Sequence, residues 1–168
     1  MYGILNSELF AITLFLGLLG LAVVTDLDEL RIPNRICLLI ALLYPSYVLA
    51  SPEPVNWLGA LAVAAGVFVI GLIPFSTGVM GGGDVKLLAA TALWAGPSAI
   101  VGFLLLTTLA GGALALVMVT RCRFTLAGLF EAVGATDLRD AVLGRAIPYG
   151  VAIAASAYMT IGPVLLGD

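Results

Sequence analysis

Long apolar stretches, broken by short polar or Gly/Pro-rich segments, set the rhythm of this chain. The runs are Leu9–Thr25, Ile36–Ala50, Trp57–Phe75, Val85–Gly96, Ser98–Thr120 and Ala146–Leu166. A helix of about 20 apolar residues matches a hydrocarbon core roughly 30 Å thick, so each run predicts a membrane-crossing helix. The second and fourth are short for a full crossing. The fourth also reads as a half-buried segment whose leading loop dips into the membrane against protein. Composition agrees with lipid as the main solvent: 62% of residues are hydrophobic and 10% charged, with a mean hydropathy of +1.18, far from the balance of a soluble domain. The expectation is an all-α, polytopic integral membrane protein of about six helices, with residues 1–168 forming one domain.

Charge adds direction. All seven basic residues fall on one side of this layout. Arg31 and Arg35 lie between the first two runs, Lys86 opens the fourth, and Arg121, Arg123, Arg139 and Arg145 lie between the fifth and sixth. Short loops rich in Lys and Arg stay cytoplasmic, which predicts both termini on the opposite side. A secretory signal carries its positive charge before the apolar core, whereas here it comes after, so the first run reads as a permanent helix. The stretch Arg121–Arg145 mixes apolar and charged residues and reads either as an amphipathic segment on the membrane surface or as an ordinary connection. A net charge of −3 argues against nucleic acid as a partner. Cys37 and Cys122 are far apart and His is absent, so neither a disulfide framework nor a Cys/His metal site is indicated; no metal and no cofactor is expected.

Two polar segments emerge on the predicted cytoplasmic side. One is Thr25-Asp26-Leu27-Asp28-Glu29-Leu30-Arg31-Ile32-Pro33-Asn34; the other is Gly81-Gly82-Gly83-Asp84-Val85-Lys86. An acid at the membrane boundary is costly unless paired, hydrated or functional. Three glycines before Asp84 permit positive φ and let an extended peptide approach the backbone. Two neighbouring carboxylates, one ionised and one protonated, can hydrolyse a peptide bond without metal or a covalent nucleophile. Plainer roles exist for each residue. Asp26 could cap or stop a helix, the glycine run could be a flexible turn, and Lys86 could mark the end of a span. Asp28 and Glu29 could lie on a solvated face, paired with Arg31 or Arg35.

An Asp ending the first span, followed by Ile32-Pro33-Asn34 and later by Gly81-x-Gly83-Asp84-x-Lys86, resembles the type IV prepilin peptidase family of membrane aspartyl proteases. The resemblance covers nearly the whole chain. It implies that Asp26 and Asp84 are the catalytic pair, with Ile32, Pro33 and Asn34 structural. Gly81, Gly82, Gly83, Lys86, Asp28 and Glu29 would serve the loop or the substrate. The implied partners are membrane lipid and a prepilin or pilin-like precursor, cut on the cytoplasmic side of a prokaryotic inner membrane between a short basic leader and an apolar helix. Association with further copies or with a pilus-assembly machine is compatible with it. Longer family members carry paired Cys-x-x-Cys motifs and methylate the new amino terminus. This chain looks instead like the short branch serving tight-adherence (Flp-type) pili, which implies cleavage without methylation. Presenilin-like proteases share Gly-x-Gly-Asp, but their first Asp follows Tyr, whereas Thr25 precedes Asp26. An ion-coupled transporter would also embed two carboxylates, near the membrane midplane and between repeated halves. A non-catalytic assembly subunit would need neither acid beyond stability.

Overall fold

A computed structural model describes residues 2–120, 122–132, 134, 139 and 149–166. The elements are α1 (Tyr2–Glu29), α2 (Asn34–Ala50), α3 (Trp57–Ser76), α4 (Gly82–Val119), α5 (Cys122–Ala132) and α6 (Tyr149–Leu166). Among the described residues there is no strand. Ser7–Glu29, Trp57–Ser76 and Gly82–Val117 are long and apolar enough to cross a membrane, and Asn34–Ala50 and Tyr149–Leu165 are shorter apolar helices. Large apolar side chains face outward, including Leu49, Leu58, Val69, Ile70, Val101 and Leu116, as suits a surface solvated by acyl chains. The protein is an all-helical, polytopic membrane protein.

The fourth and fifth apolar runs form one helical stretch, α4, broken at Gly96 (φ 55, ψ −172). That conformation is essentially restricted to glycine, and Pro97 next to it has no N–H to extend the helix. The chain reverses there. Before the break, α4 runs antiparallel to α3: an added methyl on Gly71 would meet Val85, while Gly96 lies against Ala60. After it, α4 runs antiparallel to α6, with Gly102 beside Thr160 and Gly111 beside Tyr149 and Ala152. Asp26 meets Gly150, so residues 84, 26, 150 and 111 share one end of the bundle and the Gly96 turn lies at the other. Unbroken, the stretch would be about 55 Å long at 1.5 Å per residue, far beyond one crossing.

Helix boundaries shift slightly from the apolar runs. The first helix continues to Glu29, because Asp-Leu-Asp-Glu is polar without breaking a helix. Leu30 stops it in a left-handed conformation (φ 50), and Pro33 precedes the first residue of α2. Asn56 caps α3, its side-chain oxygen accepting from the Gly59 N–H at 3.0 Å. The first part of the Arg121–Arg145 stretch is helical, as α5; Arg121 and most residues between Ala132 and Tyr149 lie outside the described residues, including 146–148 at the start of the sixth run.

The core is built mainly from α1, α2, α4 and α6, with Ala60 and Val67 added by α3; Phe15, Leu19, Ile40, Leu87, Phe103, Ile153 and Ile161 are fully enclosed. Lipid is as apolar as these side chains, so close van der Waals fit and interhelical hydrogen bonds, rather than escape from water, hold such a bundle. Trp94 supplies both. Its ring stacks on Phe15 at 4.3 Å and 8°, meets Tyr44 edge-on at 5.6 Å, and donates its indole N–H to the Ile40 carbonyl at 2.9 Å. One residue thereby joins α4 to both α1 and α2. Helix α3 packs chiefly on α4 and leaves most of its surface outward.

Candidate functional site

At the end of the bundle where α1 and α4 bring their acids together lies a cavity of roughly 800 Å³. Its wall takes Asp26, Glu29, Leu30, Arg31, Ile32, Pro33 and Asn34 from the α1–α2 corner. Gly78, Val79, Met80 and Gly81–Asp84 come from the α3–α4 corner, and Tyr149 from the head of α6. The two segments singled out in the sequence thus form opposite walls of one space.

Asp26 sits in the last turn of α1 and is 4% exposed. Its Oδ2 accepts the Gly150 N–H at 2.8 Å. Burial of a carboxylate demands such a donor, because an unpaired buried acceptor is costly. Asp84 lies in the first turn of α4, half-buried, with Oδ2 accepting the Gly81 N–H at 3.2 Å. Its carboxylate therefore folds back over the helix start, where free N–H groups and the helix dipole favour an acid. Both carboxylates line the same cavity.

The glycines act by proximity. None of Gly81, Gly82 and Gly83 has positive φ; in this corner the left-handed residue is Gly78 (φ 72). The expected conformational licence is therefore not used at these three positions. A methyl on Gly81 would lie 2.8 Å from Asp84 Oδ2, one on Gly83 would lie 3.1 Å from the Ile32 carbonyl oxygen, and one on Gly82 would lie 3.2 Å from the Phe75 ring. Gly83 brings α4 onto the backbone of the Ile-Pro-Asn segment, and Ile32 is itself buried. Cys37, a buried free thiol, points at the Gly83 carbonyl at 3.9 Å and so packs between α2 and the head of α4.

Lys86 and Asn34 explain each other. Lys86 Nζ donates to Asn34 Oδ1 at 2.9 Å, linking positions 52 apart in sequence. Both are exposed, and the bond ties the two walls at the cavity rim. Glu29 lines the cavity, whereas Asp28 is exposed and is not among its lining residues. Among the described residues no group of three or more metal-ligating side chains converges. Gly150 and Tyr149 are site residues that the sequence alone did not single out. Their signal is a glycine at the head of the last apolar run, on the same side as Gly81–Gly83.

Fold and site together define a helical membrane protein with two acids converging in a cleft at one end of its bundle. A profile of the type IV leader peptidase family matches residues 13–116, which contain both acids and all of the Ile-Pro-Asn and Gly-x-Gly-Asp positions. The chain belongs to that family. It is similar to a prepilin leader peptidase/N-methyltransferase of Bacillus subtilis (strain 168), with 37% identity over 86 residues. That alignment covers 51% of this chain and 35% of the relative, so the chain spans only about a third of the curated relative's length. No solved structure matches the chain.

Proposed function

We propose that this protein is an aspartic endopeptidase that removes the leader of a prepilin or pilin-like precursor, using Asp26 and Asp84 to activate water. The observation that carries the reading is the convergence of these two acids on one cavity, each with one oxygen held by a glycine amide. Two carboxylates held close together share one proton more readily than they bear two charges. The ionised member takes a proton from a bound water, and the resulting hydroxide attacks the scissile carbonyl. The protonated member gives its proton to the carbonyl oxygen. Collapse of the tetrahedral species then breaks the C–N bond: the proton first taken from water passes to the departing amine, and a hydroxyl of the tetrahedral species returns its proton to the other acid as the new carboxyl group forms. The glycine-lined wall lets an extended peptide approach. Glu29 and the two acids favour a basic leader at the cavity, with an apolar helix continuing beside the bundle.

Residues 1–168 act in this reading as one catalytic domain, within a prokaryotic inner membrane. Both termini lie outside, and the cavity faces the cytoplasm. Support comes from the basic residues: Arg31, Arg35 and Lys86 all lie at the cavity end of the bundle. The acids sit at that end rather than midway, which favours leader processing over an ion-coupled transporter. Flp-type precursors are the proposed substrates. A membrane-impermeant peptide spanning a leader junction tests both activity and orientation. Inside-out vesicles carrying the protein are expected to cut it at the junction, and right-side-out vesicles to leave it intact. Cleavage by right-side-out vesicles alone would reverse the orientation, and cleavage by neither, across a panel of precursors, would remove the protease reading.

A further inference from the structure

We propose that Gly150 is a positioning residue of the two-carboxylate centre, holding Asp26 through its backbone N–H and admitting it through the lack of a side chain. The inference rests on the reading of Asp26 as a reacting group. Gly150 is the second residue of α6, and its N–H meets Asp26 Oδ2 at 2.8 Å across 124 positions of sequence. A methyl there would stand 2.7 Å from that same oxygen, 3.1 Å from Asp26 Cγ and 3.1 Å from Ile32 Cδ1. The first distance is well inside van der Waals contact. Asp26 is 4% exposed, so the oxygen can yield only by swinging into the cavity that it lines, away from the Gly150 N–H.

Asp84 is held in the same manner. Gly81, just before α4, gives its N–H to Asp84 Oδ2 at 3.2 Å, and a methyl on Gly81 would lie 2.8 Å from that oxygen. Each acid therefore has one oxygen fixed by the amide of a glycine at the head of a helix. Because the donor to Asp26 belongs to α6, the last helix sets the aim of an acid carried by the first. Tyr149, the preceding residue, lines the cavity, so the head of α6 is part of the centre rather than a distant support.

The test uses the full chain in mild detergent, comparing wild type with Gly150→Ala, Asp26→Ala, the double variant and Gly162→Ala. Displacing a reacting group by about 1 Å costs on the order of 100-fold in rate, so Gly150→Ala is expected to lower kcat for precursor cleavage by about 100-fold with KM changed less than about threefold. Gly162→Ala, on the same helix, adds a methyl where nothing lies within 4 Å and is expected to keep the wild-type kcat. Thermal unfolding supplies a readout that needs no substrate. Gly150→Ala should lower the midpoint by several degrees beside Asp26 and far less in the Asp26→Ala background, where the clash is gone. A Gly150→Ala kcat within about twofold of wild type overturns the proposal. So does a raised KM with kcat intact, or an equal fall in midpoint in both backgrounds. If wild type cuts no precursor, the protease reading falls, and the unfolding cycle alone decides whether Gly150 and Asp26 are coupled.

Discussion

Around the cavity, what a glycine lacks is defined by the atom that takes the space. Gly83 and Gly82 are neighbours with different obstacles: the Ile32 backbone at 3.1 Å for one and the Phe75 ring at 3.2 Å for the other. Backbone at a helix corner yields little, while an outward-facing ring can turn aside. Gly83→Ala is therefore expected to destabilise by about 1–3 kcal/mol, as overpacking usually does, and Gly82→Ala by less than about 1 kcal/mol. Unfolding in detergent, monitored by any probe of helix loss, checks the order; equal effects would mean that Gly83 is not pressed on Ile32. At this scale the sequence was informative about chemistry and poor about geometry. Asp26 and Asp84 stood out because acids are conspicuous in apolar surroundings. The reason for the glycines did not, since positive φ and close approach demand the same residue and only coordinates separate them. The Lys86–Asn34 bond and the Gly150 contact were equally hidden, because each depends on how distant segments meet.

Among the elements, α4 decides the architecture, because its break at Gly96 returns the chain to the end from which it came. The hydropathy pattern anticipated this turn: the runs Val85–Gly96 and Ser98–Thr120 are separated at Gly96-Pro97, and lipid demands that backbone polar groups be satisfied within helices. The pairing of the helices was beyond that pattern. In a membrane, pairing depends on small residues and local fit rather than on one apolar face turned from water. Gly71 is such a residue. A methyl there would lie 2.8 Å from Val85 Cγ1, and Val85 adjoins Asp84. Gly71→Ala is expected to cost about 1–3 kcal/mol and to disturb Asp84 through α4, with Val85→Ala in the same chain restoring part of the loss. Strictly additive effects in that double variant would show that the two helices do not meet there.

For the whole molecule, the layout brings three separated chain segments to one end of the bundle: the end of α1, the head of α4 and the head of α6. Helices built from local hydrogen bonds supply the walls, and their ends, with the short corners between them, bring both acids and the glycines to one cavity. The fold class and the two acids were therefore legible from hydropathy and motif spacing. The contribution of the last helix was not, because a glycine at the head of an apolar run is too common a feature to single out Gly150 without the contact it makes. The central claim is that Asp26 and Asp84 act as a pair. Its most direct test is cleavage of an Flp-type precursor by wild type, Asp26→Asn and Asp84→Asn at matched expression in membranes. The amide keeps size and shape but cannot exchange the proton, so both variants are predicted to fold, bind precursor and lose at least about 1,000-fold in kcat. Retention of substantial cleavage by either folded variant would contradict the account.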